Sequence, residues 1–195
     1  MWDERYSQAE YAYGKLPNDF LKQHIARLNK GRSLCLADGE GRNSVFLAEH
    51  EHDVVAVDQS AAGMHKARQL AEEKSVTIEA IVADLAEFTI EENSWDNIIS
   101  IFCHLPVPLR KQVHASVVRG LKSGGILLLE AYTPEQIQLG TGGPPVAEMT
   151  MTLDLLQDEL QGLEFLHAEE KQREVVEGLY HTGTGAVVQL IARKP

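Results

Sequence analysis

Short apolar runs alternate along the chain with stretches in which apolar residues recur every three or four positions. Ser33–Ala37, His52–Asp58, Val76–Val82, Trp95–Phe102 and Ile126–Ala131 are the runs. Runs of this length, bounded by turn residues, read as strands buried in a parallel sheet. Between them the period is helical. A helix opens at Arg42 with Val45, Phe46 and Ala48 inward, Ser60 caps a helix over 61–74 with Met64, Ala67, Leu70 and Ala71 on one face, and Pro108 opens a third to Leu121. Asn18 or Asp19 caps an earlier helix to Leu28, and Thr152 a late one to Gln161. Phe165–Val176 and Ala186–Ala192 read as a closing hairpin joined around Gly183-Thr184-Gly185. The alternation predicts an α/β fold, a three-layer αβα sandwich on a mainly parallel seven-stranded sheet with a C-terminal antiparallel hairpin.

A chain of 195 residues with 44% hydrophobic content has material for one core, and residues 1–195 are expected to form one domain. Residues 1–30 make an N-terminal arm and helix. The aromatics Trp2, Tyr6, Tyr11 and Tyr13 either pin that arm to the body or form a flap over a ligand. Residues 133–148, with Gly140, Gly142, Gly143, Pro144 and Pro145, hold few core residues and read as a loop lining a pocket.

The net charge of −11 leaves no basic surface to track phosphates, so nucleic acid is not an expected partner. Cys35 and Cys103 both lie in apolar runs and read as reduced, buried thiols of a cytoplasmic protein. No metal framework is signalled, and no stretch has the length and apolar character of a signal core or membrane span.

The chemistry concentrates where the first run breaks. Asp38-Gly39-Glu40-Gly41 places two glycines between a strand and a helix start, where positive φ and close backbone approach favour a nucleotide-like ligand. Asp58 ends the second run 17 residues after Gly41, the place from which an acid holds a ribose diol in doubly wound folds. Asp84 follows the third run, and His104 follows the fourth in Cys103-His104-Leu105-Pro106. Ligands of open α/β sheets sit at these carboxyl ends.

These residues resemble a class I S-adenosylmethionine-dependent methyltransferase, with a Rossmann-like fold, over nearly the whole chain. Leu34-Cys35-Leu36-Ala37-Asp38-Gly39-Glu40-Gly41 fits the family's glycine motif except that Cys35 stands where an acid is common and Ala37 replaces the first glycine. The resemblance implies S-adenosylmethionine as cofactor and adenosylhomocysteine as product. It implies that Asp58 grips the ribose hydroxyls, that Asp84 lies near the adenine amine with Ala83 and Leu85 flanking the ring, and that Asp38 supplies the displaced charge. Cys35, Ala37, Gly39, Gly41, Asn43, Gln59 and Phe102 complete the implied cofactor set. Glu40-Gly41-Arg42-Asn43, Phe102 with His104-Leu105-Pro106, Gly140–Pro144, and Arg173 followed by Glu177-Gly178 and His181 are similar to the tellurite-resistance (TehB-like) branch. That branch implies a small-molecule methyl acceptor, a thiol or a chalcogen oxyanion, and a monomer or homodimer. His104 would then remove a proton from a protonated acceptor, while Arg173 and His181 would bind and orient an anion. Two other functions use the same corner: a module that binds S-adenosylmethionine without transferring methyl, and a nicotinamide-dependent oxidoreductase. The latter lacks its usual third glycine, since Ser44 stands three residues after Gly41.

Overall fold

The computed structural model describes residues 2–178 and 180–195. Helix α1 (Trp2–Tyr6) and α2 (Asp19–His24) precede strand β1 (Arg32–Leu36), α3 (Arg42–Glu49), β2 (Asp53–Asp58) and α4 (Ala61–Glu73). Then follow β3 (Glu79–Val82), β4 (Trp95–Ile101), α5 (Val107–Gly120), β5 (Leu121–Tyr132), α6 (Gln136–Leu139), α7 (Leu153–Glu159), β6 (Glu164–Glu177) and β7 (His181–Arg193). The seven strands form one sheet in the order β3-β2-β1-β4-β5-β7-β6. Strands β1 to β5 pair in parallel, β7 runs antiparallel to β5, and β6 antiparallel to β7. The strand order reverses between neighbours β1 and β4, which opens a crevice at the carboxyl edge of the sheet.

Apolar side chains pack on both faces of the sheet. On one, Leu34, Leu36, Ile98 and Leu127 meet Val113 and Val117 of α5 and Leu156 of α7; on the other, Cys35, Ile99 and Leu128 meet Phe20 and Leu21 of α2 and Phe46 and Leu47 of α3. Adjacent strand residues thus feed opposite layers, as the pleat requires. Asn18 caps α2 by accepting from Leu21 N–H, and Ser60 caps α4 by accepting from Gly63 N–H.

Several boundaries depart from expectation, among them the start of β5 at Leu121 rather than Ile126. Strand β3 begins at Glu79 rather than Val76 and lies at the sheet edge, with Glu79 and Val82 exposed, so it is not a doubly buried strand. The helix expected to Leu28 tightens to a 3-10 turn at Ile25–Arg27. The hairpin strands pair to their ends, Glu177 opposite His181, and Gly183-Thr184-Gly185 lies inside β7 instead of forming the turn. Packing explains the misplaced glycines: a Cβ on Gly183 would come 2.9 Å from Thr141 Cγ2, and one on Gly185 would come 2.8 Å from Val175 Cγ2.

Candidate active site

The break after β1 is a run of left-handed backbone. Ala37 (φ 49°), Gly39 (φ 63°) and Gly41 (φ 88°) turn the chain so that α3 starts at Arg42 with its N-terminus over the sheet edge. Gly41 is required twice over, by its φ and because a Cβ there would come 2.6 Å from Ala67 Cβ on α4. Ala37 carries a side chain where left-handed backbone costs about 1–2 kcal/mol, part of which glycine would return through its own chain entropy. Ala37→Gly is therefore expected to raise stability by about 0.5–1 kcal/mol in urea unfolding; a loss would show that the methyl group packs usefully.

The corner and the second strand are one unit. Gly39 N–H donates to Asp58 Oδ2 (2.9 Å), Ser60 N–H donates to Asp58 Oδ1 (2.8 Å), and Asp38 N–H donates to Val57 O (3.1 Å). Each Asp58 oxygen keeps a lone pair for a further donor. Burial raises the Asp58 pKa from its ordinary value, against the two N–H bonds that lower it. Asp38 accepts from Ser44 Oγ, and burial, reinforced by the nearby Asp58 charge, lifts its pKa to about 7. For an acid with a raised folded pKa the native state binds the extra proton, so Asp38 costs stability increasingly as pH climbs from about 4 to about 7 and by a constant amount above that. Asp38→Asn should hence raise the melting temperature at pH 8 and leave it nearly unchanged at pH 4. Equal shifts at both pH values would contradict the assignment.

Above this corner lies a cavity of about 490 Å³. Ala37, Asp38, Gly39, Asn43, Asp58, Gln59, Phe102, His104 and His181 all line it. Trp2, Arg5, Tyr6, Tyr13 and Gly14 close one side, and Gly142, Gly143, Pro144, Pro145 and Met149 another. The aromatic arm is pinned to the body and also lines the cavity. Tyr11 Oη donates to Lys66 O (3.2 Å) and anchors the arm, Glu40 accepts from Ala12 N–H (2.7 Å) and Lys66 Nζ (2.7 Å), and Trp2, Tyr6 and Tyr13 face the cavity. The loop after β5 is folded rather than irregular. It contains α6 and a 3-10 turn, and Gln136 holds it by donating to Thr141 Oγ1 (2.9 Å) and Gly142 O (3.0 Å) while accepting from Ala186 N–H (2.9 Å).

Other named residues lie apart from the cavity lining. Cys35 is buried in β1 on the α2–α3 side. Asp84 is exposed and accepts from Ala86 N–H (2.9 Å), closing a turn after the edge strand, while Ala83 is half-buried and Leu85 packs into the core. Arg173 does not reach the cavity as a spare cation. Its Nε donates to Glu130 Oε1 (2.7 Å) and its Nη2 to Glu130 Oε2 (2.8 Å).

The two histidines differ. His104 faces Met149 O with Nδ1 (2.9 Å) and receives Tyr132 N–H at Nε2 (3.3 Å), and burial drives its pKa down to about 4. Both ring nitrogens are engaged, so the ring serves the cavity as a wall, and proton removal would require breaking a backbone bond. His181 makes no such bonds: its Nδ1 is buried without a hydrogen-bond partner among the described residues, 3.9 Å from Glu177 Oε2. Arg42 was legible only as part of a motif, yet it lines the cavity, donates from Nη2 to Glu177 (2.7 Å) and leaves Nη1 buried and unpartnered among the described residues. A carboxylate inside the otherwise apolar run at 126–131 was the available hint that a buried charge network sits here.

This sheet order, with a glycine corner and an acid at the ends of β1 and β2, is the Rossmann-like architecture of class I S-adenosylmethionine-dependent methyltransferases. Residues 34–125 match the family described as methyltransferase domain. The uncharacterized methyltransferase YbaJ of Bacillus subtilis (strain 168) is 29% identical over 106 residues, 52% of this chain, and the chain spans only 40% of that relative's length. Among solved structures, a protein from work on the conversion of a disulfide bond into a thioacetal group during echinomycin biosynthesis superposes with a TM-score of 0.78 at 17% identity, covering 98% of this chain and 87% of that one. TehB from Haemophilus influenzae superposes with a TM-score of 0.74 at 18% identity, covering 100% of this chain and 66% of that one. At these identities the two structures establish the shared fold.

The residues at the corner fit the methyl donor of that family. Its sulfonium and ammonium are cations and its ribose carries two hydroxyl donors, and the cavity presents the Asp38 and Asp58 carboxyl groups beside a backbone turn without side-chain obstruction at Gly39. Among the described residues no cluster suits a metal ion, and no helix is long and apolar enough to cross a membrane.

Proposed function

We propose that this chain is an S-adenosylmethionine-dependent methyltransferase that acts on a small-molecule acceptor. The observation that carries the reading is the Gly39–Asp58 hydrogen bond at the floor of a cavity that protein atoms leave open. One bond joins the turn suited to the methionine part and the acid suited to the ribose, so both contacts can be made to one molecule. S-adenosylmethionine supplies an activated methyl group; the chain has to hold it, align an acceptor and exclude water. Asp58 and Gln59 would hold the ribose side, and Ala37, Asp38, Gly39 and Asn43 the methionine side, with Phe102 beside them. Trp2, Tyr6 and Tyr13 would exclude water from the arm side and Pro144 and Pro145 from the other. Thiols and chalcogen oxyanions are the acceptor classes the TehB-like motifs favour. The test is release of adenosylhomocysteine on incubation with S-adenosylmethionine and a panel of thiols, selenite, tellurite and small amines. Release above the acceptor-free rate supports the reading, and binding of the donor with no release from any acceptor would leave a non-transferring module.

A further inference from the structure

Glu177, at the end of β6, stands between a guanidinium and an imidazole that each keep one nitrogen without a partner among the described residues. Its Oε2 accepts from Arg42 Nη2 at 2.7 Å and lies 3.9 Å from His181 Nδ1, while Arg42 Nη1 and His181 Nδ1 have no hydrogen-bond partner among the described residues. Arg42 and His181 both line the cavity. A carboxylate facing one imidazole nitrogen fixes the proton there and turns the other nitrogen's lone pair outward. Separations of this kind are often long before a ligand arrives and shorten on binding. The far edge of the ring has room: Gly142, also on the cavity wall, would bring a Cβ 2.8 Å from His181 Cδ2 and 3.6 Å from Nε2, and has none.

Of the cations at this end of the cavity, all but Arg5 are matched by a carboxylate. Arg42 is paired with Glu177, Arg173 with Glu130, and Lys66 with Glu40. Arg5 donates to Tyr13 Oη and lies over the rings of Trp2 and Tyr180. A site with so little positive charge in excess is poorly made for a multiply charged oxyanion. It suits an acceptor that arrives neutral and carries one negative charge only at the moment of attack. The groups facing His181 are Glu177 on β6, Arg42 on α3, Arg5 on α1, Tyr13 of the arm, Tyr132 on β5, and Phe102 and His104 after β4. Burial lowers the His181 pKa in spite of Glu177, with Arg42 and Arg5 adding to the decrease, so the ring is neutral at pH 7 and able to accept a proton. So weak a base is matched to a thiol and not to an alcohol.

Building on the methyl-transfer reading, we infer that His181 is the proton acceptor, that Glu177 is its positioning residue, that Arg42 Nη1 holds the developing charge, and that the acceptor is a small un-ionised thiol. The thiol proton passes to His181 Nε2. The sulfur forms a bond to the donor methyl carbon as that carbon's bond to the sulfonium sulfur breaks, giving a methyl thioether and neutral adenosylhomocysteine, and the ring then returns its proton to water. Aromatic walls at Tyr13 and Phe102 suit a polarisable sulfur.

The test compares phenylmethanethiol, un-ionised at neutral pH, with 4-nitrothiophenol, which arrives ionised, and with selenite and tellurite. Adenosylhomocysteine release is followed at saturating donor in the wild type, His181→Gln and Glu177→Gln. We expect phenylmethanethiol to turn over at least tenfold faster than either oxyanion. His181→Gln should slow it by about 100-fold or more while slowing 4-nitrothiophenol less than tenfold, because the base is needed only when a proton must leave. Glu177→Gln should lower the His181 pKa, read by NMR in the ligand-free protein. Equal losses with both thiols would make His181 a packing residue and overturn the proposal, as would faster turnover of selenite or tellurite, which leaves methyl transfer itself standing. Donor binding without release from any acceptor overturns both. Should the variants fail to fold, the wild-type ring decides: a neutral imidazole protonated on Nε2 instead of Nδ1 contradicts the assignment.

Discussion

Glu130→Ala is expected to lower the unfolding free energy by about 3–5 kcal/mol, the scale for removing one partner of a buried ion pair. Glu130 is fully buried and accepts four hydrogen bonds: from Arg173 Nε (2.7 Å) and Nη2 (2.8 Å), Asn18 Nδ2 (2.5 Å) and Gln189 Nε2 (2.8 Å). Its loss leaves a largely buried guanidinium held by Glu174 O (2.9 Å), with Glu177 at 3.4 Å and Asp19 at 3.8 Å. It also removes one acceptor from each of two buried amides, Gln189 and Asn18, the latter capping α2. Glu130→Gln keeps the shape and one acceptor oxygen and should cost less. Urea unfolding checks this through a lower midpoint at unchanged slope. A midpoint moved by the equivalent of less than about 1 kcal/mol would mean that water replaces the carboxylate and that the network is not buried as described.

Asp58→Ala should weaken S-adenosylmethionine binding by about 1–3 kcal/mol, roughly 5- to 150-fold, the range for losing charged hydrogen bonds. Two effects combine. The ribose loses its acceptor, and Gly39 and Ser60 lose the carboxylate that ties the glycine corner to the start of α4. Asp58→Asn should fall between the two, since an amide retains one acceptor while presenting donors where N–H groups already point. Trp2 lines the cavity, so tryptophan fluorescence gives the dissociation constant directly. An unchanged constant in Asp58→Ala would remove the ribose role.

What the sequence disclosed was the part governed by local rules. Alternating periods gave all seven strands and the parallel core, and a side-chain oxygen just ahead of a helical run gave the caps at Asn18, Ser60 and Thr152, each of which accepts from the N–H three residues on. Glycines were less legible because one residue type serves turns and tight packing alike. Gly183 and Gly185 sit inside a strand to admit Thr141, Val175 and Tyr132, whose closeness depends on segments some 10 to 50 positions away. The candidate site divided along the same line. Asp38, Gly39 and Asp58 belong to consecutive elements whose order fixes their meeting. Arg42, Glu130, Arg173 and Glu177 come together from α3, β5 and β6, and sequence shows none of those pairings. His104 illustrates the limit: its place at a strand's carboxyl end was readable, but its two backbone bonds, to Met149 and Tyr132, were not.

The central claim is that the turn at residues 38–41 and the Asp58 carboxylate hold a single adenosyl sulfonium molecule. Calorimetric titration of the wild-type protein with S-adenosylmethionine and, separately, with NAD tests it most directly. The account predicts saturable one-to-one binding of S-adenosylmethionine and no heat from NAD. Tight NAD binding with no response to S-adenosylmethionine would contradict it.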